Sequence, residues 1–462
     1  MKNSPNIIIT TLLTLLTASF AFAGGTELHE ATKRGDREKI QNLLKHGNID
    51  INTQDKNGYT PLHFAAACNS IATASLLLNS PGININARDN NGQTPLHKAS
   101  YSDSTSDVMS LLLNTHSIDV KAQDQNKQTA LHIAARSGNI SGTSLLIKTP
   151  GVDVNVEDLQ KCTPLYLATC SKQSDIVSLL LKTSDIKVNV KNEMGLTPLQ
   201  LAANSENSEI VPLLLNSSNI DIHVRNKRGW TSLHFALNSG NINAISLLLN
   251  TFGIDVNAKD ENETTPLHLA AYYNRADAVS LLLKAHGINV NIKNKKGETP
   301  LHLVAKHNKT NALSLLLDAP SINVNAQEDQ RKETPLHFAV AAQKTDSVAL
   351  LLNTPNINVN AKDKDDLIAL HYAVTLGNFE ITSILLDRYN SYEELEYALN
   401  AHDKNKRTPL SIANQQIRDL MDTKVYKLSK QGHDMGAPTQ GGRPKGWGYF
   451  QVIGKHGWHI AE

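Results

Sequence analysis

Two apolar patterns alternate along most of the chain. One is a short Leu-x-x-Ala-Ala pattern, as in Leu131, Ala134 and Ala135, whose spacing lays three side chains on one helical face. The other ends in three consecutive leucines, as at Leu76 to Leu78 and Leu247 to Leu249. A stretch alternating every second residue follows, with Ile254 and Val256 against Asp255 and Asn257, and predicts a short extended hairpin arm. A polar turn of the type Asp-Lys-Asn-Gly then restarts the cycle.

The restart is marked by a tetrapeptide. Thr60-Pro61-Leu62-His63 recurs as Thr94-Pro95-Leu96-His97 and Thr265-Pro266-Leu267-His268, and with substitutions as Thr163-Pro164-Leu165-Tyr166 and Thr197-Pro198-Leu199-Gln200. A first copy starts at Thr26, a degraded one at Ile368, and the last at Thr408. Steps are 34 or 35 residues until the final one of 40, giving about twelve units. Thr is a helix N-cap, and Pro follows where its missing N–H costs nothing. Helix stops are expected at Gly138, Gly240, Gly377, Asn69, Asn274 and Asn308, residue types that accept a left-handed backbone. Pro212 falls in a second helix and kinks it unless it lies near the start. Ser391-Tyr392-Glu393-Glu394 is a capping-box pattern that predicts an extra helical turn within the long final step.

From Thr26 to Val425 the units resemble the ankyrin repeat, whose signature is a turn plus two helices with T-P-L-H-x-A. The resemblance implies an all-α solenoid of helix-turn-helix units with short β-hairpin turns. Each unit would bury its apolar stripe on its neighbours, and polar faces would close the two ends. Together with Asn richness and the leader described next, the chain resembles exported ankyrin-repeat proteins of intracellular bacteria. Binding through a concave face lined by turn tips and inner helices is what this implies.

Residues 1–23 read as a signal peptide. Lys2 precedes an uncharged run from Ile7 to Phe22, closed by Ala21-Phe22-Ala23. The array then spans 24–425, and 426–462 form a tail rich in Gly and aromatic residues. The localisation expected is secreted or periplasmic. In the tail, Gly442-Arg443-Pro444-Lys445-Gly446 resembles an AT-hook core but lacks the preceding Arg, because Gly441 stands there. Trp447, Tyr449, Phe450 and Trp458 suit docking onto a partner or onto the last unit.

Charge narrows the partner. There are 45 Lys+Arg against 44 Asp+Glu, so no general grip on nucleic acid or anionic membrane is expected. No later run of about 20 apolar residues provides a membrane span. Cys68, Cys162 and Cys170 are expected as free thiols, since eight residues of helix separate the last two by roughly 12 Å. The recurring His63, His97, His132, His234, His268, His302, His337 and His371 lie about one repeat apart, too far to share a metal, so each is expected to bond its own Thr and the next unit's backbone. No catalytic signature occurs, and no cofactor is implied. The expected activity is therefore binding of a protein by a monomeric chain. The alternatives are a periplasmic or surface structural protein and, more remotely, an enzyme activity housed in the tail. On the turn tips the middle units depart from polarity: Met194, Leu196, Arg228 and Trp230 fall on adjacent units, with Tyr272 and Tyr273 one unit further. Trp, Arg and Met favour interface centres, which makes these six the expected partner-binding residues. N-terminal sequencing of the exported protein is expected to begin at Gly24. A chain still starting at Met1 in the exported fraction would contradict cleavage.

Overall fold

The computed structural model describes residues 26–46, 49–205 and 209–433; residues 1–25, where the signal peptide is expected, and the chain from Asp434 onward lie outside them. The described α-helices fall into twelve inner–outer pairs plus one additional helix, Tyr392–Leu399, and a 3-10 turn, Asp103–Thr105, precedes the third outer helix. Inner helices pack side by side in one layer and outer helices in another. In the eighth unit these are Pro266–Tyr272 and Ala276–Leu283.

Local chemistry sets each inner helix. Thr265 is extended at ψ 166°, with Pro266 in the first helical turn. The chain leaves the helix through a left-handed residue, Gly at Gly138 (φ 82°) and Asn at Asn274 (φ 54°). All six expected stops have positive φ, and Lys172 and Gln343 take the same role in their own units. The signature leucine is sealed in every unit from Leu62 to Leu370, as is the middle leucine of each outer triplet, such as Leu248 and Leu282. Burying one such side chain contributes roughly 1.5–3 kcal/mol. Outer-helix neighbours such as Leu247 and Leu249 are only partly covered.

The histidines are joints. His63 Nδ1 accepts the Thr60 N–H at 3.1 Å and lies 2.8 Å from Thr60 Oγ1. A backbone N–H can only donate, so Nδ1 is the bare nitrogen and Nε2 carries the proton. That Nε2–H donates to the Gln93 carbonyl, 2.9 Å away on the next unit. His268 repeats this with Thr265 at 3.2 Å and Glu298 at 3.0 Å. Gln200 reproduces the joint without an imidazole: Oε1 accepts from Thr197 at 3.1 Å, and Nε2 donates to Trp230 at 3.1 Å. Tyr166 does not; its hydroxyl accepts from Asn192 Nδ2 instead.

Two further seams run parallel. Turn tips bond tip to tip, as where Glu261 N–H donates to the Arg228 carbonyl at 3.1 Å. A Cβ at Gly229 would lie 2.9 Å from that same Glu261 nitrogen, so the approach requires glycine. On the opposite edge, asparagine amides bridge the long loops. Asn257 Nδ2 donates to the Gly287 carbonyl at 2.7 Å, and its Oδ1 accepts the Asn289 N–H at 2.9 Å. Asn52, Asn86, Asn155, Asn189, Asn291 and Asn325 do the same. This revises the expected hairpin arms. Val256 is buried and Asp255 exposed as the alternation requires, but a side-chain amide replaces the facing backbone, and no strand forms among the described residues.

Three other details follow the chemistry. Pro212 is the third residue of helix Ile210–Leu215, where no backbone donor is needed, and its carbonyl still accepts from Asn216 at 3.0 Å. Ser391 caps a full eight-residue helix, larger than the single turn expected, and this insertion lengthens the final step. The last helix, Gln415–His433, continues past Val425, where the array was expected to end.

Burial lowers the pKa of these imidazoles, against the smaller opposing pull of the carbonyl each one bonds; His63, His268 and His302 fall from 6.5 to about 4. The unfolded chain thus binds protons first. The stability is whole above pH 6.5 and is lost as pH falls towards 4, on the order of 3 kcal/mol for each such ring. Denaturant titration across that window is expected to show the loss. His268→Gln should leave stability at pH 7 within about 1 kcal/mol, as Gln200 allows, and weaken the acid dependence. Unchanged acid dependence would contradict the joint.

Candidate functional site: the inner-helix face and turn tips

Trp230 is tied into the array. Its indole Nε1–H donates to Asp260 Oδ2 on the next tip at 3.1 Å. Its ring stacks on His234 (centroids 6.2 Å, planes 23° apart) and meets Phe235 edge-on at 5.2 Å. Gln93 and Gln128 make the same reach to Asp124 and Asp158, and Tyr59 stacks on His63 in the same way. Trp230 is therefore half-buried, with one side committed to the seam.

Its expected companions are freer. Met194 is 65% exposed at the tip of the sixth unit, and Arg228 is exposed on the seventh. Leu196 is half-buried, with its N–H held by Asn192 Oδ1. Tyr272 and Tyr273 are 48% and 40% exposed and meet edge-on at 5.2 Å. They close the inner helix that Thr265 opens, so they lie at the helix end remote from the tips. The six residues thus form two groups, one at each end of the inner helices.

Between the groups runs an apolar floor that sequence reading missed. The residue after each signature His, or its replacement, is half-buried at Leu167, Leu201, Phe235, Leu303, Phe338 and Tyr372. The signal was present in the variable position of T-P-L-H-x-A, which is apolar in nearly every unit. Towards each end the floor is closed by internal polar bonds. Lys98 replaces the apolar residue in the third unit; its Nζ reaches Asp89 Oδ2 at 2.8 Å, Gln93 Oε1 at 2.7 Å and the Tyr59 hydroxyl at 3.1 Å. Burial alone would lower its pKa, but the Asp89 carboxylate and Tyr59 together outweigh it, and the ammonium is held above its usual range. At the other end the Tyr372 hydroxyl lies 2.7 Å from both Glu333 and Asp363.

Cations missed in the sequence gather beside the tyrosines. Tyr272 meets His307 of the ninth unit edge-on at 5.4 Å. Desolvation lowers the His307 pKa, and the charges of Lys306, Lys309 and Lys344 push it the same way. Lys306 Nζ lies 5.4 Å from the Phe338 ring centroid, and the Arg275 guanidinium 6.0 Å from that of Tyr273. The signature imidazoles are each spent on two bonds, and among the described residues no group of three or more His, Cys, Asp or Glu converges on one point. The three cysteines are unpaired; burial, then Asp158, pushes the Cys162 thiol up to about 12.

The family model for ankyrin repeats, written for three copies, matches in seven overlapping segments from residues 9–89 to residues 286–363. Among solved structures, the chain is similar to the ankyrin repeat domain of Bcl-3, described as a unique member of the IkappaB protein family. The two are 27% identical, with a TM-score of 0.45, over 49% of this chain and 99% of that one. No curated protein matches.

The Trp230 tether has a measurable share in stability. Trp230→Phe, which keeps an aromatic ring but loses the indole donor, is expected to cost about 1 kcal/mol, and Trp230→Ala about 3 kcal/mol, in denaturant unfolding. Two variants as stable as the parent would show the indole free of the seam.

Proposed function

The chain belongs to the ankyrin-repeat family, and we propose that it is an exported scaffold that binds a protein of a host cell. Ankyrin repeats mediate protein–protein interaction, and the finer reading concerns where this chain does so. The observation that carries it is the exposure of Met194 and Arg228, and of Tyr272 and Tyr273, at the two ends of the half-buried floor. None of the three seams needs these side chains, although the Tyr273 hydroxyl donates to Asn238 Oδ1 of the seventh unit at 3.1 Å, and an interface rewards them. Trp230 joins the surface through its uncovered side, and Leu196 lines it. The scaffold acts as a single chain, with binding rather than catalysis as its task, and the leader read at residues 1–23 supplies the route out.

A second reading has its own support. The asparagine bridges recur along an exposed edge, as a stiff rod assembled for structure would require. A periplasmic or surface structural protein would remain in the envelope fraction, and a host-directed scaffold would leave it. Cross-linking in the native setting, followed by mass spectrometry, is expected to join the tips of units six and seven to one partner. Met194→Ala with Arg228→Ala should then weaken capture by about 2 kcal/mol while the unfolding midpoint holds. Full retention in the envelope together with unchanged capture would overturn the reading.

A further inference from the structure

The inner-helix ends of units eight to ten collect cations; one of them, Arg275, also donates through Nη2 to the Asn238 carbonyl of the seventh unit at 3.4 Å. Arg275, Lys306, Lys309 and Lys344 come from three successive units. Among the described residues none of the four is ion-paired. His307 ties the group together: Tyr272 of the unit before lies 5.4 Å from its ring, and Lys344 of the unit after is near enough to act on its titration. Lys306 lies beside the Phe338 ring and Arg275 beside that of Tyr273, so two of the charges are held next to aromatic surface.

We propose that Tyr272, Tyr273, Arg275, Lys306, Lys309 and Lys344 receive an acidic, aromatic-containing segment of the partner protein. The inference rests on the reading of this face as a protein-binding surface and assigns the chemistry of what it takes. Carboxylates meet the cations, and aromatic side chains of the segment pack on the exposed tyrosines. Three units about 10 Å apart span roughly 20 Å, the reach of about six extended residues. Acidic groups nearby set the limit on what fits. Asp277 and Asp346 stand in the first turns of the adjoining outer helices, with Glu380 one unit further. A nucleic acid, with phosphate at every step, would run over them. A peptide places its charges only where the cations are.

The test uses the full chain and a fluorescein-labelled Glu- and Tyr-rich peptide about twelve residues long, followed by anisotropy. Comparison probes are a Gln-for-Glu peptide of the same length and single-stranded oligothymidine. The acidic peptide is expected to bind at least tenfold tighter than the neutral one and to weaken as salt rises from about 50 to 200 mM. Lys306→Glu with Lys344→Glu should weaken it roughly tenfold or more, and Tyr272→Ala severalfold, with helical circular dichroism retained. Lys295→Glu with Lys296→Glu, on the tip of the ninth unit, should change it less than twofold. Equal loss from the tip pair would reduce the effect to general charge and overturn the site. So would equal binding of the two peptides, or preference for the oligothymidine. If cross-linking still joins a partner to this face when the acidic peptide fails, the charge assignment falls and the binding surface stands.

Discussion

Each unit of this chain is unfinished until its neighbour arrives, and in most units one imidazole makes it so. The ring takes the first free N–H of its own helix on Nδ1 and gives its only proton to a carbonyl of the next tip. The same few atoms therefore start one helix and seat the following turn. Burial of the adjoining leucines supplies most of the stabilisation, but apolar surface has no direction. The imidazole, the tip bonds and the asparagine bridges fix the register at which the apolar faces meet. Burial holds the ring neutral, and a second proton would also have to sit on the nitrogen that faces the Thr265 N–H donor. A protein assembled this way carries its acid sensitivity in its joints.

The sequence made the units legible because their determinants are local. Thr, Pro and His sit within four residues of one another, and a left-handed stop follows within one helix length, so twelve starts and their Gly and Asn stops could be read directly. Lys172 and Gln343 escaped notice because nothing in their side chains advertises a positive φ. The asparagines were visible only as composition. Their role appears when residues some 30 positions apart meet, as Asn257 meets Gly287 and Asn289. An amide that mimics a backbone edge also explains why an alternating Ile-Asp-Val-Asn stretch need not pair as a strand. Ser391 announced its helix by a short-range pattern, whereas nothing within a few residues of Val425 marked how far the last helix would run.

The site divides along the same line. Trp230, Met194 and Arg228 stood out as unusual residues at a known repeat position, but whether an indole N–H faces solvent or Asp260 depends on the tip one unit away. The cations beside Tyr272 were invisible for the same reason. Arg275, Lys306 and Lys344 are ordinary surface residues in their own units, and only stacking brings them to one place. In a solenoid the structural positions recur and the functional ones are singular, so periodicity reveals the scaffold and conceals the surface.

The histidine joint couples the folding of one unit to the next. Native-state hydrogen exchange of the His268→Ala chain at neutral pH measures this coupling. Amides of the ninth unit's tip and helix start, Lys295, Glu298, Thr299 and His302, are expected to lose protection together with those of the eighth. Loss confined to the eighth unit, with the ninth as protected as in the parent, would contradict the coupling.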